Sequence, residues 1–465
     1  MQEHREQAFR PLFLLLLVFF FLLLLASVPA EFVRSSGLKP LKLFNDLRPD
    51  PRYHTRKTAI SGGLPLASEK GQVKISDQLV ATSDSTFFSF SPLQHSLKDF
   101  FSALKSKKKV RIAYFGDSMI EGDLITQTIR ELYQRKYGGA GVGLVPLTSP
   151  VAGFRQSIVH SFSNNWRENN ILVHSSGGRE PGIMGHVYFP PSISDTGMAT
   201  SSSATYLPGR GFGNSCFHRA GVLLKATTAL QWTSFRSGRQ PLKKVHPGQP
   251  GRLQLLTFDV GAERAPVEFH FGGGEFPVYG VNFDSDTGVY VDNLAFRGNS
   301  GMPMTRIPSS LLSATDSLLG YDLVILHYGI NAVSAEVKDY SWYTKGLLRT
   351  LLHFRKAMPG TSVLLVGTAD KGYNSEEGYI TDPGVPRVAE AQKAAAKMAQ
   401  TAFVDLFTLM GGEGTMVRWV ESPAPLANKD CTHFNFSGAA RIGRLIFDCL
   451  EREKELFHKD INNNL

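Results

Sequence analysis

The chain has 465 residues, 42% of them apolar and 20% charged, which is ordinary for a globular protein of two or three domains and not for a disordered one. The formal charge of +9 suits an anionic polymer such as cell wall or acidic polysaccharide, or serves solubility alone. No nucleic-acid motif is present, so that class of partner is set aside. Residues 11–26, PLFLLLLVFFFLLLLA, are almost wholly apolar and follow Arg5 and Arg10. The small residues Ser27-Val28-Pro29-Ala30 come next. This is the layout of a secretory signal peptide cut after Ala30, with an uncleaved N-terminal membrane anchor as the alternative. Either way residues beyond 30 are expected to be exported, to the periplasm or cell envelope. Glu3 and Glu6 offset Arg5 and Arg10, so losing residues 1–30 leaves the charge at +9.

Residues 31–90 are weakly patterned and read as a linker and lead-in. Ser91-Pro92 opens a helix as cap and first residue. Leu93, Leu97, Phe100, Phe101 and Leu104 fall on one face, and Lys105, Lys107, Lys108 and Lys109 close it. Val110-Arg111-Ile112-Ala113-Tyr114-Phe115 then reads as a buried strand that stops at Gly116-Asp117-Ser118. A helical pattern follows, with Leu124, Ile125, Ile129, Leu132 and Tyr133 at spacings of three and four. A strand that turns sharply into a helix lifts the turn residue above the carboxyl edge of a sheet, where α/β folds place ligands. A serine there is placed to act as a nucleophile whose own amide helps hold an oxyanion. The glycine run Gly138-Gly139-Ala140-Gly141-Val142-Gly143 ends a helix and lacks the Lys-Ser/Thr of a phosphate loop. It reads as a flexible rim loop.

From 165 to 290 the pattern changes to short alternating runs, among them 185–189, 221–224, 253–258, 267–271 and 278–283. Glycine, proline, serine and asparagine separate them. Strands of this kind predict a β-sandwich. A strand near 291–296 then leads into the turn Arg297-Gly298-Asn299-Ser300-Gly301. Leu323 to Tyr328 is the next buried strand, followed by Gly329-Ile330-Asn331-Ala332, and His327 within it reads as a packed histidine. Helices near 339–357 and 386–400 alternate with strands 362–367 and 403–406, which predicts a parallel sheet covered on both faces. Asp430-Cys431-Thr432-His433 precedes a last helix capped by Ser437, with Ile442, Leu445, Ile446 and Leu450 inward. Of the three cysteines, Cys431 and Cys449 read as a pair or as buried thiols, and Cys216 is left over. No metal-ligand spacing appears, and no cofactor is expected.

Serine after an early strand, glycine and asparagine after a middle one, and Asp-x-x-His before the last helix form an ordered set. That set resembles the SGNH (GDSL-type) hydrolase superfamily. The stretch FGDSMIEGDLITQTIRELYQRKYGGAGVGLVP, residues 115–146, resembles the bacterial O-acetylpeptidoglycan esterase branch, as does Met410 to Trp419, read as a loop bordering the cleft. The resemblance implies a flavodoxin-like three-layer α/β/α domain with a parallel sheet, interrupted by an inserted jelly-roll sandwich like a carbohydrate-binding module. Its domains are then 91–164 and 291–465, with the insertion at 165–290, where Trp166, Trp232 and Tyr206 are candidates for stacking on sugars.

A serine hydroxyl needs a base in reach, and the base an orienting partner. The resemblance assigns these roles to Ser118, His433 and Asp430. It places the oxyanion on the Ser118 and Gly298 amides, with Gly301 as rival to Gly298, and on the Asn331 side chain. The family pattern Gly-x-Asn-Asp is broken here by Ala332. The function implied is removal of O-acetyl groups from a cell-envelope glycan, peptidoglycan first. The alternative is an O-acetyltransferase acting on an exported polysaccharide with a membrane-bound O-acyltransferase partner.

Overall fold

A computed structural model of the chain describes residues 96–173, 179–192, 201–209, 217–261, 264–376 and 378–463. The apolar leader, the 31–90 lead-in, Ser91-Pro92 and Cys216 lie outside the described residues. Helix α1 (Lys98–Ser106), strand β1 (Lys109–Gly116), one-turn helix α2 (Ser118–Glu121) and helix α3 (Leu124–Tyr137) come first. Eleven strands follow: β2 (Gly143–Val145), β3 (Ile158–Phe162), β4 (Arg167–Asn170), β5 (His186–Phe189), β6 (Ser202–Pro208), β7 (Arg219–Leu224), β8 (Trp232–Ser237), β9 (Lys243–Val245), β10 (Gln254–Asp259), β11 (Val267–Gly272) and β12 (Val278–Asp284). Strand β13 (Gly288–Asn293), helix α4 (Ser309–Leu319), β14 (Leu323–His327), α5 (Ser341–Ala357) and β15 (Ser362–Val366) continue the chain. The hairpin β16 (Gly372–Ser375) and β17 (Gly378–Thr381), then α6 (Gly384–Ala399), β18 (Ala402–Val404), α7 (Leu406–Leu409), α8 (Thr415–Glu421) and α9 (Phe436–Asn463) complete it.

Five strands form a parallel sheet in the order β13-β1-β14-β15-β18. Numbered along the chain this is 2-1-3-4-5, the flavodoxin-like order, with its switch point beside β1. The strands are apolar on both faces because helices cover both. Ile112, Tyr114, Ile325, Leu364 and Val366 face α1, α3 and α9, where Phe100, Ile129 and Ile446 meet them. Ala113, Phe115, Val324, Leu326 and Leu365 face α4, α5 and α6, where Leu312, Leu351 and Val388 meet them. The predicted three-layer α/β/α domain is therefore present.

The antiparallel strands form two sheets, β10-β7-β12-β5-β4 with β2 also on β12, and β3-β6-β11-β8-β9. They face each other across one core, to which Val222, Leu224, Val281 and Phe283 come from one sheet and Tyr206, Phe235, Phe269 and Phe271 from the other. Period-two burial is clean in β6. It is lost in β12, which is buried throughout, because the outer face of its sheet also packs on the α/β domain. There Val187, Phe189, Leu223 and Tyr279 meet Leu311 of α4.

Antiparallel pairing begins at Gly143, before the expected start at 165, and the parallel strand begins at Gly288 instead of 291. The glycine run 138–143 is not a rim loop. Val289 donates to the Gly138 carbonyl at 3.0 Å, and a Cβ on Gly139 would lie 3.1 Å from the Val289 nitrogen. Glycines are needed there because two backbones touch, at the end of the sheet away from Ser118. The sugar-stacking candidates also resolve into packing. Tyr206 is fully buried and donates to the Pro146 carbonyl at 2.8 Å. Trp166 donates to the Ser203 carbonyl at 3.1 Å and packs edge-on against Phe271. Trp232 lies under the Lys244 ammonium, 4.4 Å from the ring centre.

One buried guanidinium joins the two parts. Arg111 on β1 donates through Nε to Asp292 on β13 at 2.8 Å, through Nη1 to Asp284 on β12 at 3.2 Å, and to Asn282. Asp292 also accepts from Tyr321 Oη at 2.7 Å and from the Leu144 amide at 3.1 Å. Arg111→Ala strands two carboxylates in the interior. Breaking a buried pair in this way costs about 3–5 kcal/mol, so the urea-unfolding midpoint should fall sharply; an unchanged midpoint would contradict this account of the joint.

Candidate active site

The carboxyl edge of β1 turns into α2 within two residues. Gly116 permits this, because a Cβ there would collide with Ile120. Asp117 caps the turn, its Oδ1 accepting the Met119 amide at 3.0 Å while its carbonyl accepts from Ile120 and Glu121. The Ser118 amide is left without an acceptor among the described residues. The loop before α9 approaches from the other side. Ser118 Oγ lies 3.0 Å from His433 Nε2, and His433 Nδ1 lies 2.8 Å from Asp430 Oδ2. Asp430 Oδ1 accepts the backbone amides of Thr432 and His433 at 3.0 and 2.9 Å. Partial burial pushes the Asp430 carboxyl up, but these amides and the His433 ring outweigh it and hold the group below its ordinary range. The loop takes this shape partly through Cys431, which sits at φ 51°. Cys431 and Cys449 are both buried and free.

The segment beyond β13 keeps pairing with β1. Leu294 donates to the Tyr114 carbonyl at 2.8 Å and Phe296 to that of Gly116 at 2.9 Å. Two residues beyond Gly116 the chain begins the Ser118 helix, and two residues beyond Phe296 it reaches the turn at Gly298. Gly298 has φ 69° and is exposed, and its amide has no acceptor among the described residues. The Gly301 amide is engaged, donating to Asn299 Oδ1 at 2.8 Å, which removes it as rival. Asn331 Nδ2 donates to the Asn299 carbonyl at 3.2 Å. The structure therefore brings Ser118, His433 and Asp430 into one relay and ties Asn331 to Asn299, the residue next to Gly298. His327 is buried with Nδ1 2.9 Å from Tyr114 Oη, the packed histidine expected.

Several supporting residues were not legible as such. Asn299, fully buried, shapes the Gly298 turn; only its place in a Gly-Asn-Ser-Gly turn hinted at it. Glu121, at the end of α2, pairs with Arg297 Nε at 2.6 Å and ties the Ser118 helix to that same turn. Asp123 sits at φ 64° and is buried. It accepts from Arg130 Nη1 and Nη2 at 3.0 and 2.8 Å and from Ser157 Oγ at 2.6 Å. Asn293 at the end of β13 donates to the Ile120 carbonyl at 2.6 Å. Ala332, where the family pattern has aspartate, is buried.

No protein-family model matches the sequence, and no curated protein does. Among solved structures, a peptidoglycan O-acetylesterase superposes with a TM-score of 0.61 at 22% identity, over 78% of this chain and 96% of its own. A family two carbohydrate esterase from Cellvibrio japonicus gives 0.24 at 8% identity, over 64% and 99%. The acetylxylan esterase Axe2 from Geobacillus stearothermophilus gives 0.27 at 18%, over 36% and 74%. The first of these establishes a shared fold, a parallel α/β sheet domain accompanied by antiparallel sheets. The other two superpose too loosely to carry weight.

Asp117 supplies a pH signature. Complete burial pushes its carboxyl up to about 7, against the opposing pull of the Met119 amide, His433 and Asn331. The native state thus keeps a proton that the unfolded chain, with an ordinary value of 3.8, has released. Stability contributed by this group falls as pH rises between about 4 and 7, with a slope approaching ~1.4 kcal/mol per pH unit. Asp117→Asn, which keeps a capping side chain, should flatten that slope in urea unfolding followed against pH. Parallel curves for the two proteins would mean that the carboxyl is ionised throughout.

Proposed function

We propose that this protein is a serine esterase of the SGNH superfamily that removes O-acetyl groups from a cell-envelope glycan, with peptidoglycan as the first candidate. The observation that carries the reading is the Asp430-His433-Ser118 relay, at 2.8 and 3.0 Å, set at the switch point of the sheet, with the Ser118 and Gly298 amides uncommitted among the described residues. The fold shared with a peptidoglycan O-acetylesterase over 96% of that chain supports the choice of glycan. The leader-like residues 1–30 support an exported site of action, in the periplasm or cell envelope. The positive formal charge of +9 suits an anionic polymer.

In the cycle, His433 Nε2 takes the Ser118 proton as Oγ attacks the acetyl carbonyl. The amides of Ser118 and Gly298 and the Asn331 amide group receive the developing oxyanion. His433 returns the proton to the departing sugar oxygen, which leaves an acetyl-serine. Water, deprotonated by His433, then attacks the acetyl carbon, and acetate departs as Ser118 regains its proton. Asp430 holds the imidazole with Nδ1 protonated, so that Nε2 is free to accept.

The test is acetate release from O-acetylated peptidoglycan and acetyl-xylan by the purified protein. Ser118→Ala should abolish release, a loss on the order of a million-fold in a protease with the same relay. Asn331→Ala should cost about 100- to 1000-fold in kcat. Release from neither polymer, or acetyl transfer to an added glycan in place of hydrolysis, would defeat the esterase assignment.

A further inference from the structure

The β16–β17 hairpin stands against the His433 loop. Its base is held from several sides. The Gly372 amide donates to the Cys431 carbonyl at 2.7 Å, and Asp382 donates to that of Lys371 at 2.7 Å. Thr381 Oγ1 donates to the buried Asp370 at 2.8 Å and accepts the Gly414 amide at 2.6 Å, while Asp370 also accepts the Met416 amide at 2.7 Å. This is a rigid mount for side chains that make little contact with the protein: Tyr379 is 50% exposed, and Asn374 is exposed as well.

The register settles which face looks toward the triad loop. Gly372 pairs with Thr381, and Asn374 with Tyr379. Cross-strand partners share a face, as do residues two apart. Gly372, Thr381, Asn374 and Tyr379 therefore lie on one face, and Tyr373 and Ile380 on the other. A Cβ on Gly372 would collide with Cys431 Cβ, so the Asp430–His433 loop abuts the Tyr379 face. Chemistry decides what passes there. His433 protonates the departing sugar oxygen, so the sugar must leave on the His433 side while the acetyl group stays with Ser118, Gly298 and Asn331. A polymer running outward from that sugar next meets the hairpin.

We propose that Tyr379, with Asn374 beside it, forms a subsite for a neighbouring pyranose ring of the glycan chain, the ring stacking on the tyrosine and its hydroxyls meeting the amide. The subsite rests on the esterase reading above. The measurement is kcat/KM on O-acetylated peptidoglycan divided by kcat/KM on p-nitrophenyl acetate, for wild type, Tyr379→Ala, Tyr379→Phe and Asn374→Ala. Tyr379→Ala should lower this ratio roughly five- to tenfold, the range of an aromatic stacking contact, mainly through KM on the polymer. Tyr379→Phe should retain it, and Asn374→Ala should lower it in the same direction. An unchanged ratio in Tyr379→Ala, or an equal loss in Tyr379→Phe, would overturn the subsite while leaving the esterase standing. Wild type that cleaves the small ester and not the polymer would overturn the glycan reading and the subsite with it.

Discussion

The turn that carries Ser118 is held in place by a buried carboxylate. Asp123 adopts a left-handed backbone at φ 64°, which costs a non-glycine residue on the order of 1–3 kcal/mol. Burial adds to that cost by pushing the carboxyl up, yet the Arg130 guanidinium and the Ser157 hydroxyl outweigh it and hold the group well below its ordinary range. The strain is sustained because three parts of the chain converge on this one side chain. Arg130 comes from α3 and also donates to the Val291 carbonyl of β13 at 2.8 Å. Ser157 comes from the segment just before β3. Asn293, at the end of β13, holds both Ile120 and Thr126. The break between α2 and α3 is set by this cluster, and with it the angle at which Ser118 meets His433.

The antiparallel insertion also reaches the site. Arg306 Nη1 donates to the carbonyls of Ile171 and Leu172 at 2.8 and 3.2 Å. That bond seats the turn after β4 against the Gly298 turn, where a Cβ on Gly298 would lie 3.8 Å from Leu172 Cδ1. The cleft thus has walls of different origin. The Gly298 wall is shared with the insertion. The His433 wall belongs to the α/β domain alone, through its hairpin.

What could be read in the sequence follows from what each feature needs locally. Strands buried on both faces need unbroken apolar runs, so Val110 to Phe115 and Leu323 to Tyr328 were plain. The candidate site was legible because Ser118, Asn331, Asp430 and His433 each sit at the end of such a run or at the head of a helix. The Asp123 cluster was not, since its members lie at 123, 130, 157 and 293 and acquire meaning only when the fold joins them. Trp166 and Tyr206 misled for a related reason. An aromatic in an alternating strand faces either the core or the solvent, and register alone decides. The glycine run 138–143 had two readings, loop freedom or close backbone approach, and only the neighbour at Gly288 distinguishes them.

The pairing of β2 with β12 has a consequence for how the chain reaches its native state. Neighbouring strands β1 and β13 are separated by residues 117–287, a span of 171 residues. Closing a span of that size costs about 2 kcal/mol more than an ordinary crossover of roughly 20 residues, and such distant contacts slow assembly. Val145 pairs with Val281 and Gly143 with Phe283, so the leading and trailing strands of the insertion lie side by side. Once they have met, only residues 117–142 and 285–287 remain to be closed. The insertion is then an internal splint: pairing of β2 with β12 holds the two ends of the parallel sheet close to each other.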